Sequence, residues 1–209
     1  MISSPGASMP KTPPAQFRDG RKTRRLNNTR RIINAMLELV RDGAVAPRAE
    51  EVATRAGVGL RTVFRHFDDM ETLYREMAAA MERELKPLVA APLAASDLKG
   101  KLNEMIERRA RLFERALPFK DAADIHRHHS PFLRRNFAMR RDEERAAVAA
   151  VFSPSALHDK TILDALDLVM SFTAWQHLRR DQKLSPSGAR RAVASAVAAL
   201  ATTVTESES

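Results

Sequence analysis

AGVGLRTVFRHF, residues 56–67, places two glycines inside an otherwise helix-forming region. Beyond them Arg61, Thr62, Arg65 and His66 recur at a spacing that puts them on one helix face. Such a stretch predicts a sharp corner between two short helices. Ala53 supplies a small contact where they meet, and Gly57 takes a positive φ at the turn. Val63 points back into the angle, helped by Val52, Val58 and Phe67. That Ala, Gly, Val spacing is the helix-turn-helix arrangement. The outward face then carries Leu60, Arg61, Thr62, Arg65 and His66. Short side chains there allow close approach to a nucleic-acid groove, and arginines reach phosphates or guanine edges. Gly59, at the N-cap position, leaves N–H groups that suit a phosphate oxygen. A structural corner with a solvated basic face fits the same spacing.

Around this stretch nearly everything after residue 28 reads as helix, because Ala, Leu, Arg, Glu and Met dominate and no β-branched alternation runs a strand's length. Ile32, Ile33, Met36, Leu37 and Val40 define a helix over Thr29–Arg41 that stops at Asp42-Gly43. Arg48–Ala56 and Leu60–His66 follow, and then a fourth helix N-capped by Asp69 with Leu73, Met77, Met81, Leu85 and Leu88 on one side. Pro87 and Pro92 mark a joint. Further helices are expected over Leu98–Leu117, Phe119–His129, Pro131–Phe152, Lys160–Gln182 and Pro186–Val204. The breaks between them fall at Pro118, Ser130-Pro131, Ser153-Pro154-Ser155 and Ser185-Pro186. The expected fold is all-α: an N-terminal three-helix helix-turn-helix domain joined by a connecting helix to a C-terminal helical bundle. Its boundaries are a flexible basic leader over 1–28, the first domain with its connecting helix over 29–86, and the bundle over 87–209.

Composition narrows the function classes. The 209 residues are 44% apolar, enough for a core, and contain no cysteine, which removes disulfide and thiolate chemistry. No apolar run approaches a membrane span, and the first residues lack the apolar core of a signal peptide, so a cytoplasmic protein without membrane association is expected. Of the net charge of +9, +7 lies in residues 1–31, where eight Lys/Arg face only Asp19. A basic arm beside a folded unit suits a polyanion, nucleic acid foremost; a solubilising tail is the alternative.

The C-terminal half offers no phosphate loop, H-E-x-x-H pair or G-x-S-x-G elbow, so no catalytic residue, cofactor or metal is expected. Asp124 and His128, four apart in DIHRHHSPF with His126 and His129 beside them, have metal-compatible spacing, but two ligands do not make a site. Met105, Phe113, Phe119, Phe132, Phe137, Met170 and Trp175 are concentrated on the middle helices, and Met105, Phe113, Phe137, Met170 and Trp175 are the candidates for a small-molecule pocket. The competing reading is that they fill a core. Leu163, Leu166, Val169, Met170, Phe172 and Thr173, with Val193, Ala194, Val197, Ala198 and Leu200, give the last helices wide apolar faces.

The runs IINAMLELVRDG and PRAEEVATRAGVGLRTVFRHFDDMETLYREM, within residues 29–82, resemble the DNA-binding domain of TetR-type bacterial transcriptional regulators. SFTAWQHLRRDQKLSPSGARRAVASAVAAL, residues 171–200, resembles the last two helices of many members. The resemblance implies that Gly59, Leu60, Arg61 and Thr62 lie near bases and adjacent phosphates in the major groove. It further implies that Phe64 and His66 hold the backbone, that Arg65 adds phosphate affinity, and that Arg48 reaches DNA. Two positions depart from the pattern: Phe64 replaces a frequent tyrosine, and Met70 stands where a phosphate-binding lysine is usual. The basic arm would compensate along the minor groove. The resemblance also implies a homodimer built on the last two helices, a palindromic DNA operator, and an unidentified small-molecule effector that releases a repressor. The alternatives are a helical small-molecule-binding or interaction protein without specific DNA binding and, further off, a helical metalloenzyme.

Overall fold

The computed structural model describes the backbone of residues 15–67, 70–152 and 160–206, with side chains for 23–66, 70–152 and 160–202. All regular structure among these residues is helical. Helix α1 (Ala15–Arg41) buries Ile32, Ile33, Ala35, Met36, Leu37 and Val40, a stripe at helical spacing, and ends at Gly43 with φ 101°. It begins well before Thr29. Half of the expected flexible leader is therefore helix, since Ala15 to Asn28 contains mostly good helix formers and follows two prolines suited to a helix start.

Helix α2 (Ala49–Ala56) starts where the Glu51 carboxylate accepts the Arg48 amide at 2.8 Å. It ends at Gly57, whose φ 59°, ψ 42° is left-handed. Helix α3 (Leu60–Phe67) follows after the two residues Val58 and Gly59. Ile32, Val52 and Val63 are fully buried together, joined by Ala53, Ala56, Leu73 and Met81. Each such side chain contributes about 1.5–3 kcal/mol by leaving water. The predicted N-cap Asp69 lies outside the described residues.

Helix α4 (Met70–Ala90) continues through Pro87, so the joint falls only after Ala90. Helix α5 (Leu98–Arg127) is N-capped by Asp97, which accepts the Gly100 amide. It also runs unbroken past Pro118, where a break was expected. A proline inside a helix costs roughly 3 kcal/mol. Here packing on both sides outweighs that cost: Leu117 belongs to a second core, while Phe119 packs against the first. Pro118 sits where α5 passes from one core to the other.

Helix α6 (Pro131–Ala149) is capped by Ser130, which accepts the Leu133 amide at 3.0 Å, and it ends three residues before the expected Phe152. The expected single helix over Lys160–Gln182 is two, α7 (Lys160–Met170) and α8 (Phe172–Arg180). Ser171 separates them by donating to the Leu168 carbonyl at 2.8 Å and accepting the Ala174 amide at 3.1 Å, local bonds that compete with a continuous helix. Helix α9 (Pro186–Glu206) completes the chain's described part, and the expected break at 153–155 lies outside it. The second core gathers Leu102, Phe113, Val148, Leu166, Met170, Trp175, Ala189 and Val197 from α5 to α9.

Candidate nucleic-acid interface

The corner between α2 and α3 is built from local chemistry. The Gly57 amide donates to the Thr54 carbonyl at 3.2 Å and Val58 to the Ala53 carbonyl at 3.1 Å, closing α2. Thr62 and Val63 donate to the Gly59 carbonyl at 2.8 and 3.3 Å, opening α3. Arg31 on α1 donates to the Gly57 carbonyl at 2.9 Å and so pins the turn from outside. A Cβ at Gly57 would lie 2.6 Å from that guanidinium.

With Val63 inward, α3 turns Leu60, Arg61, Phe64 and Arg65 to solvent, with Thr62 and His66 half-buried. Gly59 is exposed and open above its backbone, and Arg48 is exposed at the start of α2. Six of the eight candidate residues are thus exposed, on the turn, α3 and the start of α2, and Thr62 and His66 are half-buried. Among the described residues Arg25, Arg48, Arg61 and Arg65 have no carboxylate partner, whereas Arg55 is bound to Asp42 at 3.0 Å and Glu38 at 3.5 Å. Phe64 is 49% exposed and Leu60 38%, two apolar side chains on a face that otherwise carries arginines. Met70 packs partly buried against the first core, which accounts locally for an apolar residue at that position.

His66 is the constrained member. Among the described residues its Nε2 is buried without a partner, and burial, then the charges of Arg65 and Arg25, hold the imidazole below its ordinary range. Arg25 therefore stands close to α3. The basic leader, expected to be flexible over 1–28, is helix from Ala15 onward, a form thicker than a minor groove is wide.

The pocket candidates divide. Met105, Phe113, Met170 and Trp175 are buried in the second core, and Phe113, Met170 and Trp175 together line a cavity with Arg109, Ser171 and Val193. Its volume is about 10 Å³, room for roughly one water. Phe137 does not line it, and the Lys120 ammonium lies 3.6 Å from its ring centroid. His128 is the C-cap residue of α5, the helix that carries Asp124, and Asp124 faces Arg127 at 3.6 Å. No group of three metal-ligating side chains occurs among the described residues.

Three buried or half-buried charges escape a search for motifs. Arg109 is buried, donating to the Met170 carbonyl at 2.7 Å and to the Glu144 carbonyl. Burial pushes the Lys120 ammonium and the Arg109 guanidinium down and the Glu144 carboxyl up. Their signal in the sequence is positional: Arg109 and Lys120 continue the apolar stripe Leu102, Met105, Ile106, Phe113, Leu117 of α5.

No protein-family model, curated protein or solved structure matches the chain. Among the described residues no helix is long and apolar enough to cross a membrane.

Proposed function

We propose that the chain is a DNA-binding transcriptional regulator that acts as a homodimer on a palindromic site and responds to a small molecule, a repressor by its resemblance to TetR-type regulators. One observation carries the reading: the left-handed Gly57 turn sets α3 apart from α2 with Arg61 and Arg65 outward and without carboxylate partners. Arginines without carboxylate partners among the described residues, Arg61 in the first turn of α3 and Arg65 in its last, are suited to phosphates and guanine edges. Arg25 near His66 adds positive charge at the same surface.

Of the residues expected on the dimer face, Leu166, Met170, Phe172, Val193 and Val197 are buried within the chain, Leu163, Val169, Ala194 and Leu200 are half-buried, and Thr173 and Ala198 are exposed, with Leu168 65% exposed beside them. Sedimentation of the wild-type chain checks this part of the proposal, and a monomer at micromolar concentration overturns it.

Selection of binding duplexes from a random pool, followed by titration at several salt concentrations, tests the central claim. Arg61→Ala and Thr62→Ala should abolish preference for the selected sequence, a loss of about 1–3 kcal/mol for the arginine, while helicity stays unchanged. Failure to enrich any sequence, or equal preference in both variants, rejects the assignment of α3. The outward Leu60 and Phe64 favour a second reading, docking to an apolar protein surface, which an unenriched pool would promote.

A further inference from the structure

The half-buried Lys120 has an unusual environment for an ammonium. Its Nζ lies 3.6 Å from the Phe137 ring centroid and 4.9 Å from that of Phe172. Among the described residues no carboxylate comes within ion-pair distance of it. Glu144 and Asp124 act on it from further away, and Arg127 and Arg141 oppose them. Cation–π contact with two rings replaces only part of the hydration that burial removes.

Phe172 connects this group to the cavity. Its ring meets Phe113 edge-on at 5.3 Å, and Phe113 lines the small space beside Arg109, Ser171 and Trp175. The Phe172 amide, at the start of α8, points to the Glu144 carboxylate at 3.4 Å, so the same residue touches both charged groups and the apolar wall. Arg109 is already committed to two main-chain carbonyls, one on α6 and one at the end of α7. Lys120 is the cation left over. The cluster combines a surplus of positive charge, a wall of aromatic rings and a break in helix direction at Ser171.

We propose that this part of the chain binds a small organic monoanion, its carboxylate paired with Lys120 and its apolar body lodged against Phe113, Phe172 and Trp175. The inference rests on reading the C-terminal helices as an effector-binding unit and names the chemical class of the effector. A carboxylate at Lys120 supplies the charge-assisted hydrogen bonds the ammonium lacks, at a site where low polarity strengthens them. The unfilled volume of about 10 Å³ cannot take the apolar body as it stands. Entry therefore parts α5 from α8, and the Ser171 break lets α8 move without bending α7.

The test uses DNA-free full-length protein and three acids, benzoate, phenylacetate and octanoate, each beside its neutral primary amide. Trp175, the only tryptophan in the chain, reports binding by fluorescence, with calorimetry as the second readout. At least one acid should bind roughly tenfold or more tightly than its amide, the effect of one charged hydrogen bond. Lys120→Met should abolish that preference, Lys120→Arg should keep it, and circular dichroism should show both folded. Absence of any acid-over-amide preference in the wild type overturns the proposal, as does its persistence in Lys120→Met. Because DNA is absent, neither result bears on α3; loss of DNA binding likewise leaves the acid preference to stand or fall alone.

Discussion

The Glu71 carboxylate on α4 accepts a hydrogen bond from the Phe132 amide of α6 at 3.1 Å. Glu71 lies in the first turn of α4, just past α3, and Phe132 lies in the first turn of α6, so one side chain ties the two helix starts together. Arg75 lies over the Phe132 ring at 5.6 Å, Tyr74 stacks on His126 at 5.6 Å, and Arg140 meets Glu82 at 3.0 Å. Helix α4 is thus laced to the end of α5 and to α6. Glu71→Ala should lower stability by about 1 kcal/mol, the usual value of a helix-end acceptor. Urea denaturation at neutral pH measures it; an unchanged midpoint would show that water replaces the carboxylate.

Arg109 joins α5, α6 and the α7–α8 break through main-chain carbonyls. Arg109→Met keeps the aliphatic stem but strands two carbonyls and removes the cation that acts most strongly on the Glu144 carboxyl. A loss of roughly 3 kcal/mol is expected, the cost of unpairing buried polar groups. Arg109→Lys should recover only part of it, because one ammonium lacks the fork that reaches both carbonyls. Chemical denaturation of the three proteins decides the matter, and full recovery by lysine would refute the two-carbonyl account.

Gly57→Ala should cost about 1–2 kcal/mol, since a left-handed backbone strains an L side chain. The added methyl also meets the Arg31 guanidinium that holds the turn. The double variant Arg31→Ala with Gly57→Ala should lose less than the two single losses combined, because both remove the same contact. Strict additivity in thermal unfolding would separate the turn from Arg31.

His66 makes stability depend on pH with a definite sign. Its folded-state value lies below the ordinary 6.5, chiefly through burial, so the unfolded chain takes up the proton first. The stability carried by the neutral ring is intact above 6.5 and is lost as pH falls through the lowered folded value. Between pH 7.5 and about pH 5 the wild type should therefore weaken relative to His66→Gln. Denaturant midpoints at the two ends of that range give the comparison, and parallel curves would contradict it.

The helical class and the corner at Gly57 were legible because their causes are local. Apolar residues at helical spacing, glycines at a turn and serines at helix starts act over a few residues, and they recur unchanged in α1, α2, α3 and α6. Pro118 misled for the complementary reason. Its local cost is real, but Leu117 and Phe119 anchor α5 in two different cores, and no window of sequence contains that fact.

The outward face of α3 was legible in part, since a buried Val63 leaves Leu60, Arg61 and Arg65 outward as their spacing predicts, with Thr62 and His66 half-buried. Tertiary structure decided the rest. It set Phe113, Met170 and Trp175 around a cavity of about 10 Å³ and enclosed Arg109, Lys120 and Glu144. A charge on an apolar stripe becomes informative only when the groups around it are known. Those groups are Met170 for Arg109, Phe137 and Phe172 for Lys120, and the Phe172 amide for Glu144. They arrive from distant parts of the chain, so their energies depend on how helices pack and not on which residue follows which.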